Sequence, residues 1–236
     1  MAGVEDYQIK AVDRSEVLRY LGYSGQELTS EFDARIDEVV SRCLCVARPR
    51  GVTRVFELAG RDERDGAPVL KLAGTALELA GESVAAHLDG AVAVGVLAVT
   101  AGLTVDVELR RLSLTNRVEE VVFDAAGSAL VECAADAAEK SIAAQAAARG
   151  FYIGSRFSPG YGDLPLDTQP VLLSTLDAGR LLGITLSSSL LMSPTKSVTA
   201  VVGLFEEPHA KGYARCDECR ARLSCRLRAA GRFCWD

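Results

Sequence analysis

Hydrophobic positions in this chain follow two different spacings, and the places where one gives way to the other divide the sequence into elements. Residues 52–58, Val-Thr-Arg-Val-Phe-Glu-Leu, alternate as a strand with one buried face does, and residues 91–100 form an unbroken apolar run of mostly small or β-branched side chains that reads as a central strand. Shorter strands are expected at 69–72, 75–79, 151–155 and 197–204, with a charged turn region at 60–66. Helical spacing is expected from Ser15 to Tyr23, with Ser15 as cap and Asp13 just upstream near the positive end. It is expected again from Ser30 to Val46, where Pro49 and Gly51 then stop the helix, and at 83–88. A long helical pattern covers 104–148 with a break near Thr115-Asn116, and Gly150 closes it. Another covers 168–182 and is ended by Gly183.

From Val118 onward the long helix carries so many Ala and Gly residues (125, 126, 127, 129, 134, 135, 137 and 138) that a neighbour must approach it closely. Strands and helices are mixed without a steady βαβ rhythm. The expected class is therefore α+β with a largely antiparallel sheet.

With 236 residues and 49% hydrophobic content, the chain can bury one substantial core or a core plus a small appendage. The division drawn is residues 1–212 as the domain and 213–236 as a C-terminal appendage rich in Cys and Arg. A net charge of −6 argues against nucleic acid as a partner. The N-terminal residues lack the basic start and apolar run of a signal peptide. The most apolar window, 90–102, is too short to span a bilayer, so a cytoplasmic protein without a membrane partner is expected. Of seven cysteines, Cys43, Cys45 and Cys133 sit in apolar helical contexts where a small buried hydrophobe is expected. The other four, Cys216, Cys219, Cys225 and Cys234, crowd into the tail.

Candidate chemistry concentrates in residues 156–169, Arg-Phe-Ser-Pro-Gly-Tyr-Gly-Asp-Leu-Pro-Leu-Asp-Thr-Gln. Gly160 and Gly162 can take positive φ, while Pro159 and Pro165 fix φ and remove backbone donors. Such a preset loop lets a ligand approach the main chain, with the Arg156 guanidinium suited to a carboxylate.

This loop resembles the Arg-x-x-x-Gly-Tyr loop of the activation (reactivation) domain of cobalamin-dependent methionine synthase. The resemblance continues through residues 181–200, whose Met-Ser-Pro-Thr-Lys-Ser-Val-Thr-Ala end is similar to the family's proline turn and Ser-Val strand. It continues also through Ala-Asp-Ala-Ala-Glu at 135–139 and the opening Val-Asp-Arg-Ser-Glu-Val-Leu-Arg-Tyr-Leu-Gly-Tyr at 12–23. That opening is similar to the short, stand-alone members of the family.

The resemblance implies a C-shaped domain with a bent antiparallel sheet and flanking helices. It implies an S-adenosylmethionine-binding subunit that supports reductive methylation of cob(II)alamin to methylcobalamin on a separate cobalamin-bearing methionine synthase, with a flavodoxin-like or other one-electron donor. Carried over by position, Arg156 holds the methionine carboxylate. Glu139 and Asp13 accept from the α-ammonium or the ribose, and Ser158, Gly160 and Tyr161 line the adenosine. Residues 205–213 resemble the family's His-Pro…Lys-Tyr-Tyr stretch, which makes Gly212 or Tyr213 a backbone contact. The chain departs from the pattern in two places. Residues 166–170, Leu-Asp-Thr-Gln-Pro, lack the histidine that follows the loop in long synthases, and Ser193 stands where an aromatic residue precedes the proline turn. No catalytic base is expected, because the corrinoid itself supplies the nucleophile.

The tail spacing Cys216-x2-Cys219-x5-Cys225-x8-Cys234 leaves zinc, an iron–sulfur centre and unliganded thiols open. It also supports an alternative function: a non-catalytic binding module of a corrinoid methyltransferase system that uses the tail for metal or protein contact.

Overall fold

The computed structural model describes residues 3–23 and 25–208. The chain runs β1 (Glu5–Asp6), α1 (Arg14–Tyr20), α2 (Ser30–Val46), β2 (Arg50–Arg64), β3 (Ala67–Leu72) and β4 (Glu78–Ala80). It continues with α3 (Glu82–His87), β5 (Ala93–Thr100), α4 (Leu103–Thr115), α5 (Arg117–Ala147) and β6 (Tyr152–Phe157). A short 3-10 turn (Leu166–Thr168) then precedes α6 (Gln169–Thr175), α7 (Ala178–Leu182), the small hairpin β7 (Thr185–Leu186) and β8 (Met192–Ser193), and β9 (Ser197–Phe205).

The main sheet has the order β4-β3-β2-β5-β9-β6, with β1 paired to the start of β2, and every pairing is antiparallel. The α+β class with an antiparallel sheet is as the sequence pattern predicts. β5 is central and buried at all eight positions, which is why it is apolar on both faces. β2 reaches farther than the 52–58 alternation suggests. Its first half pairs with β5 and its second half, beyond a register shift at Leu58/Gly60, pairs with β3. Most of the expected 60–66 turn is therefore strand, and the chain reverses at Asp65 and Gly66, both at positive φ.

Strand alternation sorts the two faces of the sheet. Ala93, Leu97 and Val99 of β5 and Ala200, Val202 and Leu204 of β9 pack against α1, α2, α4 and α5. Val94, Val96 and Ala98, together with Val201 and Phe205, pack against α3, α6 and α7. α5 lies across β2, β5, β9 and β6. Its buried Ala125, Ala126, Ala129, Ala134, Ala135 and Ala138 account for the small-residue pattern: short side chains let a 31-residue helix lie close to neighbouring elements. The tightest approach is at Gly95, where an added Cβ would stand 2.6 Å from Ile142 Cγ2.

Local chemistry adjusts several boundaries. Asp13, not Ser15, caps α1: its Oδ1 accepts the Ser15 amide at 2.8 Å, and the helix begins at Arg14. The break in the long helix falls at Asn116, whose side chain accepts the Glu119 amide at 3.2 Å and so starts α5 anew. Residues 168–182 are not one helix, because Asp177 takes a left-handed φ of 55° between α6 and α7; Gly183 ends α7 as expected. Cys43 is buried, and that burial pushes its thiol up to about 12. Cys133 is half-buried, but Cys45 is exposed, against expectation, because it lies off the face of α2 that meets the core.

Candidate functional site

Arg156 leaves β6 on the face covered by α5. Its Nη1 lies 2.7 Å from Asp136 Oδ1 and 3.2 Å from Glu139 Oε2, and its Nη2 lies 3.3 Å from Glu132 Oε2. Residues 132, 136 and 139 are spaced i, i+4 and i+7, so all three carboxylates project from one stripe of α5 toward the strand. Only 22% of the Arg156 side chain is exposed. Burial works against its charge, but Asp136, Glu139 and Glu132 outweigh that and raise its pKa further. For Glu132 burial prevails: the largest influence, it raises the carboxyl above the ordinary value despite the attraction of Arg156.

The N-terminal helix adds acid to the same region. The Cys133 thiol, raised chiefly by burial, also feels Asp136, Glu132, Asp13 and Glu16, which places α1 beside this stripe of α5. Arg19 binds Glu16 at 2.6 Å and stacks 4.2 Å over the Tyr20 ring. The Asp13 carboxyl is held below its ordinary range, mainly by the Ser15 hydroxyl and amide. The structure thus brings together two residues picked out in the sequence, Glu139 and Arg156, in a cluster where carboxylates outnumber guanidinium groups; Asp13 stays at the start of α1, engaged with Ser15. Arg156 is not standing free for a ligand, as the loop sequence alone implies, but is already held by side chains of α5.

β6 runs directly into the Gly/Pro loop. The Tyr161 amide donates to Ser158 O at 3.0 Å, the Leu164 amide to Tyr161 O at 3.0 Å, and the Gly160 amide to Leu164 O at 2.9 Å, so the loop is internally closed. Gly160 and Gly162 have φ of 89° and 53°, the left-handed values expected of them. Leu164 anchors the loop in the core at 1% exposure, whereas the Tyr161 ring stands 68% exposed. Gly212 and Tyr213, and the cysteines 216, 219, 225 and 234, lie outside the described residues.

Two functional candidates escape the sequence reading. Glu132 and Asp136 share the α5 stripe with Glu139, but their i, i+4, i+7 spacing looks like an ordinary solvated helix face until β6 crosses it. Two surface clefts of about 310 and 320 Å³ lie elsewhere, one beside Tyr7 and Arg48 and the other beside Phe32 and Glu119. Among the described residues no helix is long and apolar enough to cross a membrane, and no group of three His, Cys, Asp or Glu could hold a metal ion.

An α+β domain with an antiparallel sheet, and a closed Gly/Pro loop leading from an arginine clasped by helix carboxylates, defines the class. The sequence matches the family described as vitamin B12-dependent methionine synthase, activation domain, over residues 83–221. With more than half its length in that match, the chain belongs to this family. The fold is similar to that in the crystal structure of the MetH reactivation domain bound to AdoHcy, at a TM-score of 0.62 and 15% identity over 98% of this chain and 86% of the other. No curated protein matches the sequence.

Proposed function

We propose that this chain binds S-adenosylmethionine at the junction of β6, its loop and α5. There it would present the methyl group for reductive methylation of cob(II)alamin on a separate cobalamin-dependent methionine synthase. One observation carries the reading: Arg156 sits among Glu132, Asp136 and Glu139 at the mouth of a loop with an exposed tyrosine. Opposite charges side by side complement an α-amino-acid zwitterion. The ligand carboxylate takes Arg156 while its ammonium takes over a carboxylate that Arg156 releases, so no charge is left buried and unpaired. The sulfonium gives the donor one further positive charge, which suits the surplus of carboxylates that Glu132, Asp136 and Glu139 hold over Arg156. Ser158, Gly160 and the Tyr161 ring, all on the loop, would meet the adenosine. The family to which the chain belongs, and the AdoHcy bound in the similar fold, support this reading.

No side chain here is assigned as acid or base. The partner's corrinoid supplies the cobalt nucleophile, and a one-electron donor reduces it. This chain's residues hold the donor so that the methyl carbon faces outward in line, the kind of positioning that contributes several kcal/mol. In the C-shaped reading of the fold, the partner's corrinoid module enters the opening.

The test is a reconstitution followed by absorbance. A cobalamin-loaded methionine synthase module is poised as cob(II)alamin and mixed with this chain, S-adenosylmethionine and a one-electron reductant. Methylcobalamin is expected only when the chain is present, and Arg156→Ala is expected to weaken S-adenosylmethionine binding by calorimetry at least about 100-fold, since a charged group loses its partner. Equal binding by Arg156→Ala would overturn the placement of the carboxylate. Conversion that proceeds without the chain would overturn the function.

A further inference from the structure

α3 is only six residues long and follows Gly81, which offers no side-chain cap. Its first amides are nevertheless satisfied, by a carboxylate 80 residues away in sequence. Asp163 accepts the Glu82 amide at 2.7 Å through Oδ2 and the Ser83 amide at 3.0 Å through Oδ1. The fit is close on both sides. A Cβ on Gly81 would stand 2.5 Å from Asp163 Oδ1, and one on Gly162 would stand 2.7 Å from Ser83 Cβ. Gly81 (φ 137°) and Gly162 (φ 53°) both hold backbone conformations that disfavour side chains.

The other end of α3 grips β6. His87 Nε2 lies 2.8 Å from Ser155 O, and the His87 ring packs on Phe157 with centroids 5.0 Å apart. Ser155 and Phe157 flank Arg156. The Arg156 side chain thus goes to α5, while the Ser155 carbonyl and the Phe157 ring on either side of it meet α3.

We propose that α3 is a splint for the ligand loop, and that Asp163 is its positioning residue. Asp163 touches no ligand. By capping α3 it fixes residues 158–164, and with them Tyr161, in register with Arg156. The splint acts through loop shape, so it rests on the S-adenosylmethionine reading for its ligand but not for its existence.

Two readouts separate these. In wild type, Asp163→Ala and Asp163→Asn, hydrogen exchange is measured at the Glu82, Ser83, Gly160 and Leu164 amides, and S-adenosylmethionine affinity by calorimetry. Asp163 is exposed, so both variants are expected to fold. Asp163→Ala is expected to speed exchange at all four amides and weaken binding by about tenfold, the scale of a lost helix cap. Asp163→Asn, which keeps one acceptor oxygen but turns an NH2 donor toward the second amide, is expected to restore only part of both. Exchange at Gly160 and Leu164 unchanged in Asp163→Ala overturns the splint. Faster exchange with undiminished binding overturns the positioning role. If wild type binds no S-adenosylmethionine, the ligand reading fails, and the exchange data still decide whether α3 sets the loop.

Discussion

Glu119 is the residue whose loss should be felt most in stability without touching the site. It is 8% exposed at the start of α5 and binds two arginines of α2, Arg35 at 2.6 Å and Arg42. Those two hydrogen bonds, from Arg42 first and then Arg35, hold its carboxyl below the ordinary range. A depressed carboxyl contributes stability above its unfolded value and loses it as pH falls through the folded value. Glu119→Gln is therefore expected to cost about 3 kcal/mol at pH 7 by denaturant titration, a deficit that shrinks toward zero as the pH drops below about 4. A deficit independent of pH would mean that shape, not charge, is what the arginines need. Glu119 and Arg156 also mark what sequence can and cannot say about single residues. Arg156 stands out because a Gly/Pro loop follows it. Glu119 does not, because nothing near it in sequence announces two arginines some 80 residues earlier.

Elements are legible where burial decides everything. β5 and β9 follow from their apolar runs and α2 from its helical spacing, and the Ala/Gly richness of α5 correctly demands a close neighbour. The half of β2 that pairs with β3 was not legible, because its Arg, Asp and Glu side chains read as turn while its backbone pairs as strand; register is a tertiary property. The α5–β5 contact can be tested directly. Gly95→Ala is expected to lower stability by about 2 kcal/mol through overpacking, and Ile142→Ala by about 3 kcal/mol through the cavity it leaves. Because the new methyl would occupy space that Ile142 vacates, the double variant should be less destabilised than the sum of the two. Simple additivity in a denaturation cycle would show that the helix shifts away from the sheet instead.

At the scale of the molecule, charge sets the sign of what approaches. The chain carries −6 overall, and the proposed ligand region is itself acidic. S-adenosylmethionine has one more positive charge than S-adenosylhomocysteine, so its affinity is expected to fall more steeply as salt is raised from low to about 0.5 M, where the Debye length is only about 4 Å. Parallel salt dependences in calorimetry would mean that the sulfonium sits beyond the reach of the α5 carboxylates.

The sheet order has a kinetic meaning as well. Among the described residues β6 has a single strand neighbour, β9, and β9 in turn reaches back to β5 across a span that joins Ala93 to Leu204. Contacts so distant in sequence form late, because loop closure must come first. Until β6 docks on β9, Arg156 is held only through its carboxylate partners on α5 and not by the sheet. β6, which carries their counterion, gains its one strand neighbour among the described residues when β9 docks, so completing the sheet is expected to be what fixes the arginine relative to its loop.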